Sequence, residues 1–214
     1  MNYGKLILVR HGLSVYNDQN RFTGWKDVDL NEQGVEEAKQ AVNLLENIDF
    51  DRAFASKLKR ASDTLDIILK GIKQEIPIEK NLALNERDYG DLVGQNKAEA
   101  AKEFGNEQVQ IWRRSYDIPP PGGESLKDTA DRVIPYLNKK ILPEVYSGKN
   151  IIVSAHGNSI RAIVMALKEF TPEQILKTEI GWCEPWIFDF ENNKLVNLEI
   201  KARPNTKSMS KLPN

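Results

Sequence analysis

The sequence of 214 residues predicts an α/β fold with a mostly parallel central sheet and helices on both faces. Three observations carry that expectation. Short aliphatic runs, Leu6-Ile7-Leu8-Val9 and Ile151-Ile152-Val153, read as strands buried on both faces, the pattern of a parallel sheet. Between such runs apolar residues recur at spacings of three and four, as in Leu58, Ala61, Leu65, Ile68 and Ile72, which marks an amphipathic helix. The chain has only two histidines, and each ends one of the aliphatic runs and precedes a glycine: His11-Gly12 and His156-Gly157. In an open α/β sheet ligands bind outside the carboxyl ends of the strands, so two imidazoles delivered there can share one pocket.

The elements follow in order. Residues 5–9 form the first strand, short, aliphatic and closed by Gly12. Asn31 caps a helix with Val35, Ala38, Val42 and Leu45 on one face. Residues 50–55 form the next strand, and Ser56 is expected to cap the helix that carries Leu58 to Ile72. Residues 76–79 read as a short third strand. Residues 96–116 read as helical with a break at Gly105, and Pro119-Pro120-Pro121-Gly122-Gly123 is an extended connector. Ser125 and Asp128 make a capping-box pair ahead of the stripe Leu126, Ala130, Val133 and Leu137. A strand over residues 151–155 leads into a helix carrying Ile160, Val164 and Leu167. Thr171-Pro172-Glu173-Gln174 combines an N-cap, a proline at the first helical position and a box glutamine. Residues 186–190 and 195–200 alternate around Asn192-Asn193 as a terminal hairpin. Residues 1–201 are expected to form one domain, and residues 202–214 a polar, mobile tail. There is no internal repeat.

Thirty basic and thirty-one acidic side chains leave a net charge of -1, so nothing global points to nucleic acid or a membrane as partner. The single cysteine, Cys183, has no partner for an internal disulfide, in keeping with a reducing compartment. The first apolar run is too short for a signal segment or a membrane span. A soluble cytoplasmic protein is expected, with a homo-oligomer left open.

Phosphoryl transfer suits the two histidine motifs. A phosphoryl group in transit spreads charge over its equatorial oxygens and needs a nucleophile, cationic donors and a proton donor for the leaving oxygen. His11 is the candidate nucleophile, because neutral imidazole attacks phosphorus readily and Arg10 beside it offers a forked guanidinium. Arg60 lies at a strand–helix junction, where anions bind, and His156 with Asn158 adds donors from the second motif. A lone histidine is more often a hydrogen-bonded structural residue, but two in matching contexts beside arginines favour a site. No ligand spacing supports zinc, and no metal is expected.

Leu8-Val9-Arg10-His11-Gly12 resembles the signature of the histidine phosphatase superfamily. Five further blocks, in order along the chain, resemble its cofactor-dependent phosphoglycerate mutase family: Phe22-Thr23-Gly24-Trp25, Leu84-Asn85-Glu86-Arg87-Asp88-Tyr89-Gly90, Gly94-Gln95-Asn96-Lys97-Ala98-Glu99, Ile111-Trp112-Arg113-Arg114-Ser115-Tyr116-Asp117 and Ala155-His156-Gly157-Asn158-Ser159-Ile160-Arg161-Ala162. The resemblance implies a phosphoglycerate mutase-like fold in which His11 is phosphorylated, with Arg10, Arg60 and His156 around the group in transit. It implies Glu86 as proton donor and acceptor, and Ser14, Asn17, Thr23, Gly24, Arg87, Tyr89, Lys97, Arg113, Arg114, Gly157 and Asn158 as ligands of the phosphates and carboxylate. The implied reaction interconverts 2- and 3-phosphoglycerate in glycolysis and gluconeogenesis, primed by 2,3-bisphosphoglycerate, with small phosphorylated glycerates as partners. The chain departs from that family at Leu13, where a glutamate or glutamine is usual, at Val15-Tyr16, and at Asp88, where histidine is common. Leu13 is expected to remove a polar group beside the phosphate, and Asp88 to add negative charge near the acid. The resemblance fades from Gly181 to Trp186, and no function is carried onto Trp182, Cys183 or the tail. A phosphatase on the same scaffold and a catalytically weak binding module remain as alternatives, since function lives in the site rather than the fold.

Overall fold

The computed structural model describes residues 2–213. Its sheet comprises β1 (Tyr3–Arg10), β2 (Arg52–Ala55), β3 (Ile78–Lys80), β4 (Asn150–Ala155), β5 (Trp186–Glu191) and β6 (Lys194–Ile200). They lie in the order β3-β2-β4-β1-β5-β6. The first four pair parallel, and β5 and β6 add an antiparallel edge beyond β1. The β5–β6 turn is made by Asn192 and Asn193, both at positive φ (48° and 67°), as a two-residue hairpin turn that follows the strand twist requires.

Both faces of the central strands are covered, which explains their unbroken apolar sequence. On one face Ile7, Val9 and Ile152 pack with Ala38, Ala41 and Leu45 of α2 (Glu32–Leu45) and Leu65, Ile68 and Leu69 of α3 (Lys59–Gly71). On the other, Leu6, Leu8, Ile151 and Val153 pack beneath α6 (Leu126–Tyr136) and α8 (Gly157–Lys168). The helix begun at Ser125 continues through a π turn (Leu137–Ile141) into α7 (Leu142–Tyr146), beyond the end of its sequence stripe. Pro135 and Pro143, which have no N–H to donate, flank the widened turn. The capping boxes at Ser125–Asp128 and Thr171–Gln174 form, the latter opening α9 (Pro172–Lys177).

A smaller cluster of Phe22, Leu92, Ala100 and Val109 lies under α4 (Lys97–Phe104) and α5 (Asn106–Arg114), the two halves of the helix broken at Gly105. With the short α1 (Val15–Asp18), these elements form a cover over the carboxyl ends of the strands. One capping expectation is corrected. α3 starts at Lys59 with Leu58 as its cap residue; the Ser56 hydroxyl accepts from the Leu58 N–H (3.2 Å), one residue ahead of the helix, and lies 2.7 Å from Nε2 of His156.

Residues 203–211, read from the sequence as part of a mobile tail, are bonded to the body. The buried Glu184 carboxylate accepts from Ser208 Oγ and from the Met209 and Ser210 N–H groups, Lys211 pairs with Glu179, and Arg203 meets buried Glu37 at 3.4 Å. Among the described residues no helix is long and apolar enough to cross a membrane.

The loop that follows β1 is locked by close backbone approach. A Cβ on Gly34 would lie 2.1 Å from the Leu13 carbonyl oxygen, and one on Gly12 would lie 2.2 Å from that of Gly34. Around this contact the Gly12 N–H donates to Thr64, the Leu13 N–H to Glu37, and the Asn31 N–H to the Leu13 carbonyl. Gly34→Ala is therefore expected to lower stability by about 1–3 kcal/mol, the usual cost of overpacking, as read from urea denaturation. An unchanged midpoint would show that α2 can move away without loss.

Candidate active site

The ladder of β1 with β4 ends at the Arg10–Ala155 pair and continues as a bond from the His11 N–H to the Ala155 carbonyl (3.1 Å). The two histidines that follow these strands consequently lie side by side, with ring centroids 5.0 Å apart and planes inclined at 59°. Nδ1 of His11 donates to the Gly12 carbonyl at 2.6 Å; a carbonyl only accepts, so in the neutral ring the lone pair is on Nε2. Burial, then the charges of Arg60 and Arg10, hold the His11 pKa well below its ordinary value. Burial, Arg60 and His11 do the same to His156. His11 is thus a neutral, oriented imidazole whose unshared pair stands on Nε2.

Beside these rings is a cavity of about 330 Å³. It is lined by His11 and by Arg10, Asn17, Thr23, Gly24, Arg60, Glu86, Tyr89, Lys97, Arg113, Arg114, Gly157 and Asn158, all singled out in the sequence. Arg60 projects from α3 and donates to the carbonyls of Gly24 (2.9 Å) and Lys26 (3.0 Å). Burial lowers its pKa to about 10, which leaves it a cation at neutral pH. Arg10 donates to the Ile180 carbonyl at 2.8 Å, and its guanidinium carbon lies 5.0 Å from the Trp182 ring centroid. Burial also lowers the pKa values of Arg10, Lys97 and Arg113. The Nε atoms of Arg10 and Arg60 and the hydroxyl of Thr23 are buried without a protein partner. Buried donors left unmet are costly, and anionic oxygens are the partners that would meet them.

Glu86 follows a 3₁₀ turn (Leu82–Leu84) and reaches the start of α8. Its Oε1 accepts from the N–H groups of Asn158 (3.1 Å) and Arg87 (2.8 Å), while Oε2 takes part in neither bond. Trp25 and Arg132 hold its backbone carbonyl at 2.6 and 2.8 Å. The carboxyl group is therefore fixed at one oxygen and open to a proton at the other.

Three expected residues are not on the cavity wall. His156 lies against the His11 ring and has its Nε2 at the Ser56 hydroxyl, behind His11 as seen from the cavity. Ser14 caps α1 and donates to Asn17 Oδ1 at 2.9 Å, orienting that amide. Arg87 donates to the Tyr89 hydroxyl (2.9 Å) and the Arg113 carbonyl (3.3 Å), bracing two residues that do line the wall. With Tyr89, burial favours the neutral phenol, but Arg87 beside it brings the pKa down.

Six further wall residues have no role implied by the resemblance: Arg21, Phe22, Arg161, Glu179, Trp182 and Met209, of which Phe22 and Arg161 stand inside its motifs. Arg161 was readable, since it stands one helical turn after Gly157. Glu179 and Trp182 lie in a loop without periodicity, and Met209 arrives from the tail.

Two of the three departures, Leu13 and Asp88, have structural outcomes. Leu13 is buried off the cavity, so it removes no polar group from the wall. The Asp88 carboxylate accepts from the Gly90 N–H at 3.0 Å in a local turn; it lies behind Gly24 and does not itself line the cavity. Among the described residues no group of three or more His, Cys, Asp or Glu is placed to hold a metal ion.

A model of the histidine phosphatase superfamily (branch 1) matches residues 6–202. The chain belongs to that superfamily. Among curated relatives, the 2,3-bisphosphoglycerate-dependent phosphoglycerate mutase of Nitrobacter hamburgensis is 58% identical over 186 residues, 86% of this chain and 90% of that protein. The protein of the same name from Bradyrhizobium diazoefficiens is 57% identical over the same lengths. At this likeness the chain falls within the phosphoglycerate mutase family of the superfamily. In solved structures the fold recurs in phosphoglycerate mutase from Bacillus anthracis (TM-score 0.76, 22% identity, 93% of this chain and 92% of that one). It recurs too in a putative alpha-ribazole-5'-P phosphatase from Escherichia coli (TM-score 0.80, 22% identity, 92% and 95%).

The buried rings set a pH dependence. Both folded pKa values lie below the unfolded value of 6.5, so unfolding takes up protons below that pH. The stability that neutral rings contribute is fully present above pH 6.5 and is lost as pH falls through the window beneath it, by up to about 1.4 kcal/mol per pH unit for each ring. An NMR titration should show neither ring titrating near the ordinary value, and Arg60→Ala should move the His11 titration upward. A wild-type His11 that titrates at the free-imidazole pKa would contradict this electrostatic account.

Proposed function

We propose that this chain interconverts 2-phosphoglycerate and 3-phosphoglycerate through a phosphohistidine at His11. The observation that carries the reading is the placement of a neutral, Nδ1-tethered His11 and the singly tethered Glu86 on one wall with buried, partly unmet arginines. The likeness to curated mutases supports the choice of substrate.

The chemistry divides among these groups. The lone pair on His11 Nε2 attacks phosphorus, and the phosphorus–oxygen bond to the glycerate breaks. Arg10 and Arg60 neutralise the charge on the equatorial oxygens during transfer. Glu86 Oε2 gives a proton to the departing alkoxide and takes one from the hydroxyl that attacks phospho-His11 in return. His156, held neutral, keeps the His11 ring in place without adding a proton that would quench it. Lys97, Arg113 and Arg114 hold the glycerate carboxylate and outer phosphate while the molecule reorients. The unmet buried donors and the cationic wall suit 2,3-bisphosphoglycerate, which when bound supplies the priming phosphoryl group. We place this activity in glycolysis and gluconeogenesis in the cytoplasm.

Incubation with 2,3-bisphosphoglycerate is expected to give an acid-labile phosphoprotein in the wild type and none in His11→Ala. Glu86→Gln is expected to keep ligand binding and lose about 10²–10⁴-fold in turnover, the usual range for a general acid and base. Arg114→Ala is expected to lose mutase turnover more than bisphosphoglycerate hydrolysis. Wild-type protein that only releases inorganic phosphate would refute the mutase reading.

A further inference from the structure

Seven cationic side chains line the cavity against two carboxylates, Glu86 and Glu179. Proton transfer accounts for Glu86 and leaves Glu179 without a role. Its backbone is fixed, because its N–H and carbonyl both bond to Lys211 at 2.9 Å. Its side chain reaches back to the wall, with Oε1 2.9 Å from Arg114 Nη1 and Oε2 2.8 Å from Arg161 Nη2. Arg161 is itself anchored, donating through Nε to the Thr178 carbonyl at 2.8 Å. One carboxylate with each oxygen held by a different guanidinium is how a bound anion would be gripped.

The pair with Arg114 is half exposed (48% and 39%), and exposed ion pairs are individually weak. A ligand can therefore take Arg114 at little cost, but the displaced or neighbouring carboxylate still repels it. That repulsion grows with ligand charge, and a second phosphate adds about two negative charges.

We propose that Glu179 is a specificity-determining residue, an internal anion that occupies two of the cavity arginines and lowers the preference for bisphosphorylated over monophosphorylated glycerates. This rests on the mutase reading for the identity of its ligands. It keeps the priming ligand from outcompeting the substrate once His11 carries its phosphoryl group. A carboxylate that only braced Arg114 and Arg161 would act on both ligands alike, and the ratio of their affinities separates the two roles.

The test is titration calorimetry with 2,3-bisphosphoglycerate and with 3-phosphoglycerate on the whole chain. It uses a His11→Asn background so that no phosphoryl group moves, with Glu179 intact, Glu179→Gln or Glu179→Asp. Glu179→Gln is expected to tighten bisphosphoglycerate by about 3- to 10-fold and 3-phosphoglycerate by less, with the difference shrinking as salt is added. Glu179→Asp keeps the charge and is expected to keep the wild-type ratio. An unchanged ratio in Glu179→Gln, or weaker binding of both ligands, overturns the proposal. If the ratio shifts as expected but the chain with His11 restored fails to interconvert the glycerates, the mutase reading falls and the assignment of Glu179 stands.

Discussion

The parallel ladder between β1 and β4 sets the spacing of two imidazoles that stand 145 positions apart in the chain. Adjacent strands lie about 4.8 Å apart, so residues leaving their ends in register meet at about that distance. The His11 and His156 rings do so at 5.0 Å. The close contact of Gly12 with Gly34 then prevents the first loop from relaxing outward. The register is held by a core covered on both faces, so the position of the His11 ring is set by the buried sheet rather than by the loops around it.

Electrostatics works in the opposite direction. Arg10, Arg60 and Arg161 are withdrawn from water, and burial lowers the pKa of each, a sign that the folded protein holds these charges at a cost. Two carboxylates on the wall do not balance seven cations. The unliganded cavity is thus a reservoir of positive potential in a low-dielectric setting, where a small polyanion gains most. The same potential adds to burial in keeping the His11 ring neutral.

Much of this could be read from the sequence. Aliphatic runs ending in His-Gly gave the two central strands and the edge where the site lies, because burial on both faces leaves an unambiguous apolar pattern. Periodicity found α2, α3, α6 and α8, and the capping pairs at Ser125 and Thr171 formed as their chemistry requires. Ser56 stands two residues ahead of the cap position, and its hydroxyl serves both the Leu58 N–H and a distant histidine, a second partner that local sequence does not show. Ser14, Arg87 and His156 act from behind the wall, a distinction that depends on tertiary direction. Glu179, Trp182 and Met209 lay beyond reach because loop and tail residues carry no period that could place them.

The last residues of the chain have a consequence for how the protein can vary. Glu184 is fully buried, and its three hydrogen-bond donors all come from positions 208–210. Glu37, also buried, meets Arg203 and supports the Leu13 N–H two residues from His11. Trimming the chain before position 203 would leave two carboxylates sealed in the interior without those partners, a cost far above that of losing a surface strand. The terminus is therefore bound to the fold by hydrogen bonds to one buried carboxylate and by an ion pair with another. Its drift in sequence is constrained at Arg203, Ser208 and Ser210 and at the backbone N–H groups of residues 209 and 210, where a proline would be excluded.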